Sequence, residues 1–143
     1  MRAVTPILSH SALLLIGLIA VSLIIVSISA SFSTTEKDLI RSELNYIAEA
    51  AKGKILEIYS VASQTTEYSN SSFQLGLPQK IGENKYLLAL DQDNLTVSIA
   101  FKNEEIEIVK ALNIDAELSG EAYLPASILA EKIGGNITIS LVG

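Results

Sequence analysis

The residue types that catalyse reactions are scarce in this sequence and lie far apart. The only histidine, His10, falls inside an apolar run, and there is no cysteine among the 143 residues. A serine hydrolase needs a histidine and a carboxylate beside its serine, and structural zinc sites use cysteine and histidine. We therefore expect neither a nucleophilic active site nor a zinc site, and we interpret His10 as an interfacial residue at one end of the run.

Two acidic stretches are the remaining candidates for metal chemistry. Asp91–Asn94 reads DQDN and could begin a Ca²⁺ loop, but the glycine and glutamate of an EF-hand do not follow at their places. Hairpin turns favour the same residues, so we expect a turn. Glu104, Glu105 and Glu107 are interpreted as the charged face of a strand. No glycine-rich phosphate loop is present, and the sequence predicts no enzyme, no cofactor and no metal.

The charge balance argues against one class of partner. From Ser31 onward the chain has nine Lys and Arg against sixteen Asp and Glu, which gives a net charge of −7. A protein that binds nucleic acid needs a basic face for the phosphates. We therefore expect no nucleic-acid partner.

Three asparagines lie in N-x-Ser/Thr sequons, which are acceptor sequences for N-linked glycans on exported proteins. They are Asn70, Asn94 and Asn136, and none is followed by proline. We expect at least one of them to carry a glycan. The alternative is that all three are turn and strand residues only.

A helix that is apolar first and amphipathic later must position the rest of the chain. Apolar residues recur at steps of three and four between Ile40 and Ala62, which is one face of a helix. Joined to the apolar run before it, this stripe predicts one long helix that ends at Gln64. Ser33 and Glu36 fit a capping box, so a hinge at that point is an alternative.

Beyond the helix the pattern changes to that of strands. Residues 65–72 are predicted to be a polar linker, and residues 73–143 a β-rich head. Apolar and polar residues alternate, as in Leu95–Ala100 and Ile137–Leu141, and predict about six short strands. Residues 126–133 fit either a short helix or a strand. The predicted fold class is α+β, a long N-terminal hydrophobic-then-amphipathic helix followed by a small antiparallel β-sandwich-like head.

The opening apolar run is long enough to span a membrane. Ile7–Ala30 contains 24 residues and no charge. At about 1.5 Å per residue it spans about 36 Å, against a hydrocarbon core of about 30 Å. A secretory signal peptide cleaved near Ser29 is the alternative, but its apolar region would have about 7–15 residues. We therefore predict a helix that inserts into a membrane.

The residues before this run resemble a known processing signal. Arg2-Ala3-Val4-Thr5-Pro6 is similar to the class III signal of archaeal type IV pilins. In that family a prepilin peptidase recognises a basic residue followed by Gly or Ala, and cuts directly after them. The resemblance implies cleavage between Ala3 and Val4, which leaves the apolar helix on the mature protein. Leu8 stands where bacterial pilins usually carry glutamate, which favours the archaeal family.

The resemblance also implies a division of the chain. Residues 1–3 would be the leader, and residues 4–64 the pilin helix. Within that helix, residues 4–31 would form the half that lies in the membrane and then in the filament core. Residues 32–64 would form the amphipathic half, with its apolar stripe on the head.

The archaeal type IV pilin and archaellin-like family implies a function and a set of partners. The subunit would wait in the cell membrane and then join an extracellular filament for surface adhesion or motility. Its partners would be copies of itself or related pilin subunits, the prepilin peptidase, the pilus assembly machinery and glycans. The apolar residues expected at the helix packing surfaces are Ile7, Leu14, Leu18, Val21, Ile25, Ile40, Leu44, Ile47, Ala51, Ile55 and Ile58.

Two other classes of function fit the same sequence. The chain could be a membrane-anchored accessory protein that never polymerises, either archaellum stator-like or cell-wall-binding, with an extracellular β-domain. It could also be a secreted binding module. The sequence leaves open whether a filament subunit would be major or minor, what it would adhere to, and the helical symmetry of the filament.

Overall fold

The structure is a computed structural model that describes residues 4–65 and 69–143, with side chains described from residue 13 onward. Arg2 and Ala3 lie outside the described residues, and so do the side chains of Val4, Ile7 and His10. The elements found in the described part are one helix and eight strands: α1 (Val4–Gln64), β1 (Ser69–Gln74), β2 (Tyr86–Asp91), β3 (Asn94–Phe101), β4 (Glu104–Ala111), β5 (Glu117–Ser119), β6 (Glu121–Tyr123), β7 (Ser127–Ile133) and β8 (Asn136–Val142).

The chain divides into two compact units, Met1–Leu39 and Ile40–Gly143. The first unit contains the apolar part of α1. The second contains the amphipathic part of α1 and all of the described strands. Its first residue, Ile40, is half-buried and is the first side chain of the apolar stripe to pack against the core.

Hydroxyl groups in the first unit bond to the helix backbone. Ser22 and Ser27 donate to the carbonyl oxygens four residues earlier, each at 2.8 Å. Thr34 and Thr35 do the same at 3.1 and 3.0 Å. α1 continues without interruption through the Ser- and Thr-rich stretch around Ser33, as the prediction of a single long helix requires, and no separate helix begins at the capping box that was the alternative.

The strands of the second unit form two four-stranded sheets. Sheet 1 has the order β1-β7-β8-β5, and sheet 2 has the order β4-β3-β2-β6. Five of the six described pairings are antiparallel, and β5 pairs with β8 in parallel. The structure thus confirms the coarse fold, a long N-terminal helix followed by two antiparallel-rich sheets.

Two segments differ from the predicted elements. The predicted linker 65–72 is too long, because β1 already begins at Ser69 and pairs with β7. Residues 126–133, left open between helix and strand, contain β7 (Ser127–Ile133), which pairs on both sides. Asp91 ends β2 and Asn94 begins β3, so the DQDN stretch is a hairpin turn, as predicted.

The core of the second unit is formed by one face of each sheet together with one face of α1. Alternate residues of β2, including Tyr86 and Leu88, are fully buried. In sheet 1, Ile128 and Ile139 are also fully buried. The Tyr86 hydroxyl donates to the carbonyl oxygen of Pro78. Burial raises the pKa of Tyr86 to about 12, because a phenolate would lose its hydration there.

Candidate assembly surfaces

The apolar part of α1 exposes its side chains around the whole circumference of the helix. A soluble helix normally exposes one polar face and buries one apolar face, and residues 13–32 show no polar face of that kind. Between residues 13 and 32 the following thirteen large apolar side chains are half or more exposed: Leu13, Leu14, Leu15, Ile16, Leu18, Ile19, Val21, Leu23, Ile24, Ile25, Val26, Ile28 and Phe32.

A surface of this kind needs an apolar environment that the chain itself does not supply. Contiguous apolar patches this large mark membrane or protein contact sites. In the part of the chain that the structure describes, α1 is the one helix long and apolar enough to cross a membrane. The hydroxyls of Ser22 and Ser27 are already bonded to backbone carbonyls, so these two side chains would bring no unsatisfied donor into lipid. The helix is compatible with membrane anchoring.

The predicted packing residues of this segment do not form a separate stripe. Leu14 and Leu18 are both 71% exposed, and Val21 and Ile25 are 55% and 58% exposed. Residues on the other faces, such as Ile16, are exposed to a similar degree. The structure therefore does not single out one face of the helix for contacts with another helix. Ile7 cannot be compared, because its side chain lies outside the described residues.

The remaining predicted packing residues lie in the core of the second unit. Ile40 is half-buried, and Leu44, Ile47, Ala51, Ile55 and Ile58 are at most 5% exposed. Their contacts are with the chain's own strands. They hold the head on the helix, as the amphipathic pattern predicts, and they are not accessible to the helix of another copy.

An ion pair joins α1 to sheet 2. Lys110 Nζ on β4 lies 2.6 Å from Glu49 Oε1 on the helix. The hydrogen bond from Lys110, followed by its positive charge, lowers the pKa of the Glu49 carboxyl below its ordinary value. The Glu49 side chain is 56% exposed, so water screens the pair and it contributes little to the stability of the fold.

A second cation joins the end of α1 to sheet 1. Lys132 on β7 donates from Nζ to the carbonyl oxygens of Ala62, Ser63 and Thr65, at 3.2, 3.1 and 2.5 Å. The last carbonyls of a helix have no partners within the helix, and they carry its partial negative charge. Sequence reasoning missed this contact, because the cation and the helix end are about seventy residues apart.

All three sequon asparagines are exposed. Asn70 lies on β1, Asn94 begins β3 and Asn136 begins β8. Asn94 and Asn136 each follow a two-residue hairpin turn, and the second of these turns is Gly134–Gly135, both with positive φ as such tight turns require. Each asparagine side chain is accessible to a glycosyltransferase.

A groove lies between the helix and the edge of sheet 1, and sequence reasoning did not find it. We call it the edge groove and define it by Ile58 and Val61 of α1, Phe73 of β1, and Ile128 and Ala130 of β7. It consists of a cavity of about 150 Å³ and a narrower continuation of about 40 Å³ toward Ser69. It is mainly apolar.

A metal site would need a cluster of side chains that can bind the ion. No group of three or more His, Cys, Asp or Glu within the described residues could hold a metal ion. Comparison with protein-family models, with curated proteins and with solved structures finds no match for this chain. Function is therefore argued from the surfaces themselves.

Proposed function

We propose that this chain is an archaeal type IV pilin-like subunit, which assembles through its N-terminal helix into an extracellular filament for adhesion or motility. One observation carries the proposal. The thirteen apolar side chains between residues 13 and 32 are half or more exposed, whereas the unit that begins at Ile40 buries its own stripe and core. The apolar side chains of the first unit need a partner to cover them, whereas those of the buried stripe are already covered by the core.

The mechanism uses the apolar segment twice. Cleavage between Ala3 and Val4, which the resemblance implies, would keep α1 on the mature protein. Lipid would cover the helix before assembly, and identical helices would cover it afterwards. Both environments are apolar and dry, so the change in free energy per residue is small, and the assembly machinery needs only to bias the direction of transfer.

The second unit would be the head that faces outward from the filament. It is acidic, and its sequons at Asn70, Asn94 and Asn136 are exposed. Glycans at these sites would cover the outer surface and leave the buried helix stripe untouched. The buried stripe and the hydrogen bonds from Lys132 hold the head on the amphipathic half of α1.

A membrane-anchored accessory protein is the second candidate, because lipid alone can also cover the exposed helix. Processing separates the two functions. Ala3→Leu should block the peptidase, so a pilin subunit would remain in the membrane and its filaments would disappear from sheared cell surfaces in electron micrographs. Ala100→Leu makes the same change at an exposed position of β3 in the head and should leave filaments intact. Filaments, or a surface function, that persist with Ala3→Leu would contradict the pilin proposal and favour the accessory.

A further inference from the structure

Two of the three sequon asparagines lie on the same face of one sheet. Asn70 pairs with Glu131 of β7, and Glu131 pairs with Thr138 of β8, so these three side chains form one row across sheet 1. Side chains two residues apart on a strand point to the same side, which places Asn136 on the face of Thr138. The residue between them, Ile137, is buried. The shared face is therefore the outer face of sheet 1, away from the core.

The two asparagines are close enough for their glycans to cover this face together. Neighbouring strands lie about 4.8 Å apart, and a strand advances about 3.4 Å per residue. Asn70 and Asn136 are two strands apart and are offset by two residues in register, so their Cα atoms lie about 12 Å apart. Ser140, near the middle of the face, lies about 12–14 Å from each of them. A glycan of several sugars on each asparagine would reach across it.

The outer face of sheet 1 also has a composition that suits a cover of sugar. Its side chains are mainly hydroxyls and amides, which can donate hydrogen bonds to sugar oxygens and accept them from sugar hydroxyls. Ile133 is 58% exposed and lies directly opposite Asn136, so the first sugar on Asn136 can shield it from water. Asn94, in contrast, lies opposite Asp91 in sheet 2. The hydroxyl-bearing residues of the outer face of sheet 1 are Ser72, Ser119, Ser127, Thr138 and Ser140.

We propose that Asn70 and Asn136 both carry N-linked glycans, which together cover the outer face of sheet 1 and keep it free of contacts with other proteins. The donor would be an oligosaccharide joined through phosphate to a membrane lipid. The bond from the sugar C1 to the phosphate oxygen breaks, a bond from C1 to the asparagine Nδ2 forms, the amide loses one proton, and the lipid phosphate leaves. The inference rests on the proposed function in that the head must face outward, and it confines contacts between heads to their other faces.

Peptide mass spectrometry measures the modification on the unsubstituted full-length chain from native membranes. Asn70 and Asn136 should each carry a glycan in most molecules. A chain in which either asparagine is mainly unmodified would overturn the proposal, whatever the state of Asn94.

Thiol labelling tests whether the glycans cover the face. The chain has no cysteine, so Ser140→Cys introduces a single thiol there. Since Ser140 is half-buried, the readout is the labelling rate with a polyethylene-glycol maleimide divided by the rate with a small maleimide. This ratio should rise several-fold when Asn70→Gln and Asn136→Gln are added together. Asn94→Gln is the matched control, because it makes the same change on sheet 2, and it should leave the ratio low.

The two ways of failing are distinguishable. A ratio that stays the same in all three chains, or that rises as much with Asn94→Gln alone, would overturn the glycan-covered face. Filaments that persist with Ala3→Leu, while the thiol at residue 140 stays shielded, would contradict the pilin function and support the covered face.

Discussion

Replacement of Lys132 by methionine tests how the head is held on the helix. The substitution keeps most of the side-chain length but removes the ammonium that bonds to three carbonyl oxygens at the end of α1. A cation at a helix C-terminus contributes about 0.3–1 kcal/mol, and a charge-assisted hydrogen bond somewhat more. The residue is half-exposed, so we expect a loss of about 1–2 kcal/mol in the free energy of unfolding.

The assay is thermal unfolding of the full chain in detergent, followed by the near-ultraviolet circular dichroism of its tyrosines. A domain of this size loses about 4–8 °C per kcal/mol, so Lys132→Met should lower the midpoint by about 5–10 °C. Lys54→Met is the matched control, because its bridge to Glu57 is exposed and worth little. If both variants unfold at the same temperature, the cap does not hold the helix, and the reasoning is refuted.

The remaining predictions concern the core and its titrating groups. At pH 7 the wild type should have a higher free energy of unfolding than Glu49→Gln. This difference should be lost as the pH falls below 4.5 and the Glu49 carboxylate is protonated at its lowered pKa. Lys110→Met should abolish the difference, because the cation that lowers the pKa is then absent. Tyr86→Phe should cost about 1 kcal/mol at pH 7. Because folding raises the pKa of Tyr86 from 10.0 to about 12, the wild type should lose stability relative to Tyr86→Phe as the pH rises from 10 to 12. Ile55→Ala, at a residue 1% exposed, should cost about 2–5 kcal/mol by urea unfolding, and a cost below 1 kcal/mol would place this face outside the core.

The sequence predicted those elements whose own residues carry a clear period. The stripe from Ile40 to Ala62 and the alternation in β3 and β8 each bury one face, so the pattern and the packing agree. Strand β1 was missed because Ser69–Phe73 has no apolar alternation, and its strand form comes from pairing with β7. The three-residue strands β5 and β6, on either side of Gly120, lie in the segment predicted to be β-rich.

The polar contacts between the helix and the sheets were not predictable from the sequence, because they join residues distant along the chain. The bond from Lys132 to Ala62 and the pair of Lys110 with Glu49 depend on the sheet order, and the edge groove depends on where β1 pairs. The exposed apolar segment was predictable, because a long run without charged residues can be recognised from the sequence alone, without knowing strand register or contacts with distant residues.

The N-terminal residue of the mature protein tests the central claim most directly, which is that the apolar helix is retained and used for assembly. Intact-mass and N-terminal peptide mass spectrometry should be applied to the protein from membranes and from sheared surface filaments of the native cells. We predict a chain that begins at Val4 in both fractions. A soluble monomer that begins near Ala30, with no chain containing the helix in either fraction, would contradict the account.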